Sequence, residues 1–182
     1  MSTYLITGAS RGLGLALVRH LANLPSTSVG TIFATSRSEH PSLKELSQQS
    51  DRIKWVKCDV TDAESVHDAI DNPRLNDPRA SLQRLANTSV QITKAALNML
   101  TVQYAQDYGS EGFTFLAVSP GWLQTEMGGS RADLPPATGA KAVLDIVQKA
   151  TPSQNGKALN IHVPGWEENE GLNQYDGKEV PW

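Results

Sequence analysis

The sequence predicts an α/β fold, a parallel sheet doubly wound with helices, on two observations. Short runs rich in β-branched and aromatic residues alternate with helical segments along the whole chain. Between these segments fall Pro25-Ser26, Pro41, Pro78, Pro135-Pro136 and Pro152, where a proline interrupts no hydrogen-bond ladder.

The first strand is expected over Thr3 to Thr7, around the apolar run Tyr4-Leu5-Ile6. It leads through Thr7-Gly8-Ala9-Ser10-Arg11-Gly12-Leu13-Gly14 into a helix over Gly12 to Leu24. Gly8 permits a tight turn, Gly12 lets backbone approach a pyrophosphate without a Cβ in the way, and Gly14 lets the helix pack on the strand. The helix then aims its first N–H groups and the positive end of its dipole at the phosphates. Gly8, Ser10, Arg11, Gly12, Leu13 and Gly14 are therefore candidate contacts to a dinucleotide. A plain strand-turn-helix, which needs only one or two of these glycines, is the alternative.

The second strand is expected over Val29 to Ser36, so that Arg37 follows its end a little over 20 residues beyond the turn, where the adenosine ribose is met. A carboxylate there would bond the 2′-hydroxyl of NAD. Arg37 together with Arg11 suits the 2′-phosphate of NADP instead. Glu39 is the rival ribose ligand, and a solvated surface charge is the alternative for Arg37. A helix follows over Leu43 to Gln49, then a third strand over Ile53 to Cys58. Asp59-Val60 after that strand are placed to meet adenine, Asp59 as acceptor from its amino group, whereas Asp62 reads as the N-cap of a helix over Ala63 to Ile70.

A long helix reaching Tyr108 carries Ile92, Ala95, Ala96, Met99 and Leu100 at i, i+3, i+4, i+7 and i+8, a stripe expected to be half core or more. A strand over Phe113 to Ser119 ends at Pro120-Gly121. Met127-Gly128-Gly129 starts a loop to Pro136 that could cover a substrate. A helix over Gly139 to Ala150 and a strand over Ala158 to Val163 complete the alternation. Trp122, Trp166 and Trp182 are assigned to packing.

The 182 residues fit one domain with a sizeable core. A net charge of −3, with both signs scattered, gives no basic face for nucleic acid and no polybasic cluster for an anionic membrane. Small-molecule chemistry is the natural use. The single Cys58 forms no internal disulfide and reads as a small buried residue. Met1-Ser2-Thr3 runs straight into a strand without the regions of a signal peptide, so a cytoplasmic location is expected, and no apolar stretch approaches the ~20 residues of a membrane span. No metal site is expected.

On TGASRGLG, then Lys57-Cys58-Asp59-Val60-Thr61-Asp62, Ile92 to Leu100, and Val118-Ser119-Pro120-Gly121-Trp122-Leu123-Gln124-Thr125, the chain resembles the short-chain dehydrogenase/reductase family. The run Asp176-Gly177-Lys178-Glu179-Val180-Pro181-Trp182 looks like the carboxyl end of its small-molecule ketoreductase branch. The resemblance implies a Rossmann-like fold that reduces ketones or oxidises alcohols with NAD(P), several members serving secondary metabolism. It implies that the backbone of Leu123 and the hydroxyl of Thr125 lie near the nicotinamide carboxamide or the phosphates. The family's long helix often pairs across a two-fold axis, so a homodimer is a further expectation.

The family's chemistry uses a Ser, a Tyr and a Lys, with the Tyr four residues before the Lys on one helix face. The tyrosine gives its proton to the carbonyl oxygen; the lysine lowers the tyrosine pKa and holds the nicotinamide ribose. Lys94 matches the lysine and is the candidate catalytic residue. Four residues back stands Val90, which has no proton to give. Tyr104 would lie ~15 Å from Lys94 on a continuous helix and cannot substitute.

The family also carries a fourth strand ending in an NNAG-like sequence, a helix, and a fifth strand bearing the catalytic Ser. Here that interval is Asp71 to Ala80, too short for a strand-helix-strand unit of roughly 30 residues. Ser81 and Ser89 follow no apolar strand, and Asn72 and Asn76 lack the NNAG context. The fold is thus expected to lack the family's fourth and fifth strands, with the strand ending at Ser119 moving beside the first in the order 3-2-1-6-7, or with a sheet edge left open. Two readings stay open: an NADP-dependent oxidoreductase of a small ketone or alcohol, and a catalytically silent dinucleotide-binding remnant, the product of a spliced or inexact gene model.

Overall fold

The computed structural model describes residues 1–70, 91–169 and 173–181, and the side chains of residues 70 and 91–93 lie outside that description. The chain divides into two compact units, Met1–Asn87 and Thr88–Trp182. The expected deletion point at Asp71 to Ala80, together with Asn72, Asn76, Ser81, Ser89, Val90 and Trp182, lies outside the described residues.

The first unit alternates strands β1 (Ser2–Ile6), β2 (Val29–Ser36) and β3 (Ile53–Lys57) with helices α1 (Gly12–Asn23), α2 (Pro41–Gln49) and α3 (Ala63–Ile70). The strands form one parallel sheet in the order β1-β2-β3, with Ile6 opposite Ala34 and Ala34 opposite Trp55. β2 is central, and five of its last residues in succession, Ile32 to Ser36, are buried. Such a run, apolar on both faces, is what a parallel strand covered on both sides requires. Leu17, Val18 and Leu21 of α1 are almost wholly buried. Phe33, Val56, Cys58 and Ala69 form a cluster with Leu5 and Val66 packed against it. Cys58 is thus a buried small residue, as its position after the third strand suggested. α2 starts two residues earlier than expected because Pro41 stands in its first turn, where its fixed φ suits a helix, and His40 Nδ1 accepts from the Ser42 N–H.

The second unit contains α4 (Gln91–Tyr108), a 3₁₀ turn at Gly109–Glu111, β4 (Leu116–Ser119), α5 (Pro136–Lys149) and β5 (Lys157–Asn160). β4 and β5 pair in parallel, Leu116 with Lys157 through Ser119 with Asn160. The carboxyl-terminal segment returns antiparallel on β5 and its extension, bridging Leu159 to Glu179 and His162 to Asp176. The described strands therefore form two sheets, three-stranded and two-stranded. The expected order 3-2-1-6-7 would pair a strand of one unit with a strand of the other, which the ladders within each unit do not test.

The stripe on α4 is a correction. Ala95, Ala96, Met99 and Leu100 are exposed, Met99 to 68 % and Leu100 to 43 %, while Thr101 is buried. The helix packs through a different face. Asn155 Nδ2 donates to the Ala105 carbonyl at 3.0 Å, and a Cβ on Gly156 would stand 3.1 Å from the Ala105 methyl and 3.9 Å from Val102 Cα. Small side chains permit that close approach, whereas the periodic apolar stripe does not mark the buried side. No helix among the described residues is long and apolar enough to cross a membrane.

Candidate nucleotide-binding site

The turn between β1 and α1 is built as tightly as its glycines allow. Gly8 has φ 65° and Gly12 φ 55°, in the left-handed region that L side chains avoid. A Cβ on Gly14 would lie 2.4 Å from the Gly8 carbonyl oxygen and 2.9 Å from its carbon, so α1 begins against the backbone of the turn. The Ala9 N–H donates to the Thr35 carbonyl at 2.9 Å, fixing the turn to the end of β2.

No side chain caps α1, whose N-cap is Arg11, and no acidic residue stands in its first turn. The first turn of this helix therefore carries no acidic residue of its own, which suits a bound phosphate. Gly8 has open space where a Cβ would be. Ser10 and Leu13 are half-buried and Arg11 is exposed.

Arg37 follows the last residue of β2 and is exposed. Ser36 before it is buried, and its hydroxyl donates to the Ser38 carbonyl at 2.7 Å while accepting from the Trp55 indole at 2.9 Å. These bonds fix the backbone from which Arg37 and Glu39 extend. The Thr35 hydroxyl, at 2 % exposure of its residue, has no hydrogen-bond partner among the described residues.

Asp59 after β3 is held by its own turn. Its Oδ1 accepts from the Thr61 hydroxyl at 2.7 Å and the Thr61 N–H at 3.0 Å, and its N–H donates to the Ser65 hydroxyl. Those two bonds, with weaker help from Arg37 and Lys57, hold its carboxyl below the usual value of 3.8. Val60 beside it is 58 % exposed. Asp62 acts as a cap, as expected: its Oδ1 accepts from the Glu64 N–H at 3.1 Å.

In the second unit Lys94 lies on the first turn of α4 and is exposed. Tyr104, farther along that helix, packs against Tyr108 and Phe115 with ring centroids 5.9 and 5.6 Å away. Leu123 is buried at 7 %, and a Cβ on Gly139 would meet its side chain at 2.5 Å. The Thr125 hydroxyl accepts from the Gly128 N–H at 3.1 Å, so it caps a turn. Trp122 is half exposed, its indole donating to the Gly128 carbonyl, and Trp166 packs on Tyr175.

Sequence reasoning missed Asp133, Asn173 and Tyr175. Asp133 Oδ2 accepts from the Tyr175 hydroxyl at 2.6 Å and from Asn173 Nδ2 at 2.7 Å, and the Tyr175 oxygen accepts from the Trp122 N–H at 3.1 Å. Their separation along the chain left no local signal, and only a tyrosine amid the polar run before Asp176-Gly177 marked the place.

The family model described as the KR domain matches residues 2–108. The chain is 33% identical over 92 residues to the C-signal protein of Myxococcus xanthus, covering 50% of this chain and 47% of that one. It is 41% identical over 71 residues to the short chain dehydrogenase virK of Hypocrea virens, covering 38% of this chain and 26% of virK. With the short-chain dehydrogenase/reductase atnB of an Arthrinium species it aligns at 24% identity over 235 positions, covering 86% of each. That alignment is longer than the 182-residue chain, so atnB has positions with no counterpart here. The chain spans about half the length of the first of these relatives and about a quarter of the second. Among solved structures, the carbonyl reductase Sniffer of D. melanogaster superposes with TM-score 0.73 at 21% identity over 100% of both chains. The NADPH-bound carbonyl reductase from chicken fatty liver gives 0.77 at 22% identity over 100% of this chain and 94% of that one.

A glycine-rich turn between strand and helix on a parallel α/β sheet defines the class, and the KR-domain match over more than half the chain defines the family. The chain belongs to the short-chain dehydrogenase/reductase family.

Proposed function

We propose that this chain binds NADP(H) and descends from an oxidoreductase of small ketones and alcohols, with little or no turnover of its own. The observation that carries the reading is the turn itself: Gly14 leaves no room for a Cβ against Gly8, and the first turn of α1 holds no acidic residue. Gly8, Ser10, Arg11, Gly12, Leu13 and Gly14 would hold the pyrophosphate. Arg37 and Arg11 would take the 2′-phosphate, and Asp59-Val60 would meet adenine, the Asp59 side chain being engaged by Thr61. Lys94 would hold the nicotinamide ribose hydroxyls, with Leu123 and Thr125 near the carboxamide. The bound nucleotide would supply a hydride. What this chain fails to supply is the proton, since Val90 stands four residues before Lys94.

A second reading, an active NADP-dependent ketoreductase, is favoured by the extent of the KR-domain match, which includes Lys94. On this second reading the substrate is a small ketone or alcohol, within secondary metabolism, and on either reading the working form is a homodimer; the family resemblance alone supports these points.

Fluorescence titration tests the nucleotide claim. NADPH should bind more tightly than NADH, and Arg37→Ala should weaken NADPH alone by about tenfold to a hundredfold, the worth of a charge-assisted hydrogen bond. Equal affinities for the two nucleotides would remove the argument for NADP. Binding of neither would overturn the nucleotide reading altogether.

A further inference from the structure

We propose that Tyr175 is a positioning residue, a latch by which the carboxyl-terminal return segment fixes both ends of the loop from Trp122 to Leu134. On the reading above this loop covers the nicotinamide, but the latch lies wholly within the second unit and does not depend on a bound nucleotide.

The loop closes on itself at its neck. Leu134 N–H donates to the Trp122 carbonyl at 3.1 Å and Gln124 N–H to the Leu134 carbonyl at 2.8 Å. Leu123, Ala132 and Leu134 are buried beneath it, whereas Met127 near the tip is 89 % exposed. The loop carries bonds of its own, Gly129 N–H to the Thr125 carbonyl, Gln124 Nε2 to the Ala132 carbonyl and the Trp122 indole to the Gly128 carbonyl, but none of these ties it to the carboxyl-terminal segment.

Tyr175 supplies what the neck lacks. The phenol oxygen accepts from the Trp122 N–H at one end of the loop and donates to Asp133 Oδ2 at the other, and Asn173 Nδ2 donates to the same carboxylate oxygen. The 2.6 Å bond lies in the range of charge-assisted O–H···O⁻ contacts. The ring is 3 % exposed and packs on Trp166 at 5.4 Å. Gly121, at φ 80°, makes room for it, since a Cβ there would come within 3.0 Å of Tyr175 Cε1.

The tyrosine backbone is itself anchored. Its N–H donates to the Trp166 carbonyl, and its carbonyl accepts from Val163. Burial first, then the Asp133 carboxylate, push the phenol above its ordinary value of 10.0, so it stays protonated and keeps donating at neutral pH. One oxygen on an anchored segment thus joins two loop positions, and docking of that segment and ordering of the loop become a single event.

Hydrogen exchange on the full chain without nucleotide tests the latch in Tyr175→Phe, which keeps the ring, and in Asp133→Ala, which reaches the same bond from the loop. Trp122 loses its acceptor in the first variant and is uninformative there. The expected result is that the Gln124 and Leu134 amides, which do not touch the phenol, exchange about tenfold to a hundredfold faster in both variants. Trypsin should then cut after Arg131, while amides of the β4-β5 ladder keep their protection. Unchanged exchange at Gln124 and Leu134 would overturn the proposal, as would acceleration spread evenly over β4 and β5. A parallel NADPH titration separates the two claims: failure of the unmodified chain to bind would sink the nucleotide reading and leave the exchange result to decide the latch.

Discussion

Gly14→Ala is the sharpest perturbation of the nucleotide turn. The added Cβ would sit 2.4 Å from the Gly8 oxygen, 2.9 Å from its carbon and 3.1 Å from Ala9 Cα, all backbone atoms. Carbon reaches favourable contact at about 3.5 Å, so α1 and the turn must separate by roughly 1 Å. No flexible side chain can absorb that displacement. The helix is also held by Leu17, Val18 and Leu21, each at 1 % exposure or less. Overpacking of this kind costs about 1–3 kcal/mol, and a backbone obstacle puts it at the upper end. Against it stands the gain of about 0.5–1 kcal/mol from replacing a helical glycine. The net loss is about 2 kcal/mol, or about 4–8 °C in Tm for a chain of this size. Because the displaced atoms are those that would face the pyrophosphate, NADPH affinity should fall at least about tenfold. Gly8→Ala is the control: no atom lies within 4 Å of its Cβ, and only the positive φ, worth about 1–2 kcal/mol, opposes it. Thermal unfolding and NADPH titration of both variants decide the matter. If Gly14→Ala kept both Tm and affinity, the close approach would not be what fits the turn to a dinucleotide.

Other expectations concern the proton donor and two neighbouring threonines. Val90→Tyr should not restore brisk NADPH-dependent ketone reduction, because the interval Asp71 to Ala80 is too short for the family's serine-bearing strand; ordinary turnover in this variant would refute that, and ordinary turnover in the unmodified chain would refute the silent reading. Thr61→Val should let the Asp59 carboxyl titrate upward toward 3.8, followed by carboxyl NMR. Its folded value lies below the unfolded one, so the stabilisation is present above about pH 4 and lost as pH falls through the folded value; parent and variant should converge in acid. Thr35→Val removes a buried hydroxyl that has no partner among the described residues and should raise stability by up to about 1 kcal/mol, whereas a fall in Tm would show that the hydroxyl is satisfied.

The parts of this site that are local in sequence were legible in it. The turn from Gly8 to Gly14 and the Asp62 cap each depend on a few consecutive residues, and their backbone geometry follows from residue type. β4 is shorter than the apolar run Phe113 to Ser119 suggests: Phe113 and Phe115 join an aromatic cluster with Tyr104 and Tyr108, and the Phe115 N–H donates to the side-chain oxygen of Asn155 and not to a backbone carbonyl. On α4 the hydrophobic period pointed to the wrong face. The small Ala105 and Val102 pack closely, and closeness of approach is a property of the partner surface that periodicity does not encode. The Tyr175–Asp133 bond joins residues 42 apart, through a loop whose path only the fold determines.

The retained and the absent parts of this chain act on different steps. On the proposed reading nucleotide affinity would be set by backbone at one turn, by the charge of Arg37, and by the dipole of α1, none of which involves the residue four places before Lys94. Proton transfer needs a donor within about 3 Å of the carbonyl oxygen, and its loss costs about 10² to 10⁴ in rate without altering the phosphate contacts. On the proposed reading a valine at position 90 removes chemistry and leaves binding. An interval too short for the family's strand-helix-strand unit would act more severely, because a restored tyrosine would still meet a carbonyl without its orienting serine, and geometry precedes pKa in general acid catalysis. Binding without turnover is accordingly what the proposed reading expects, and NADPH titration beside a ketone-reduction assay on the unmodified chain would refute it by finding turnover or by finding no binding.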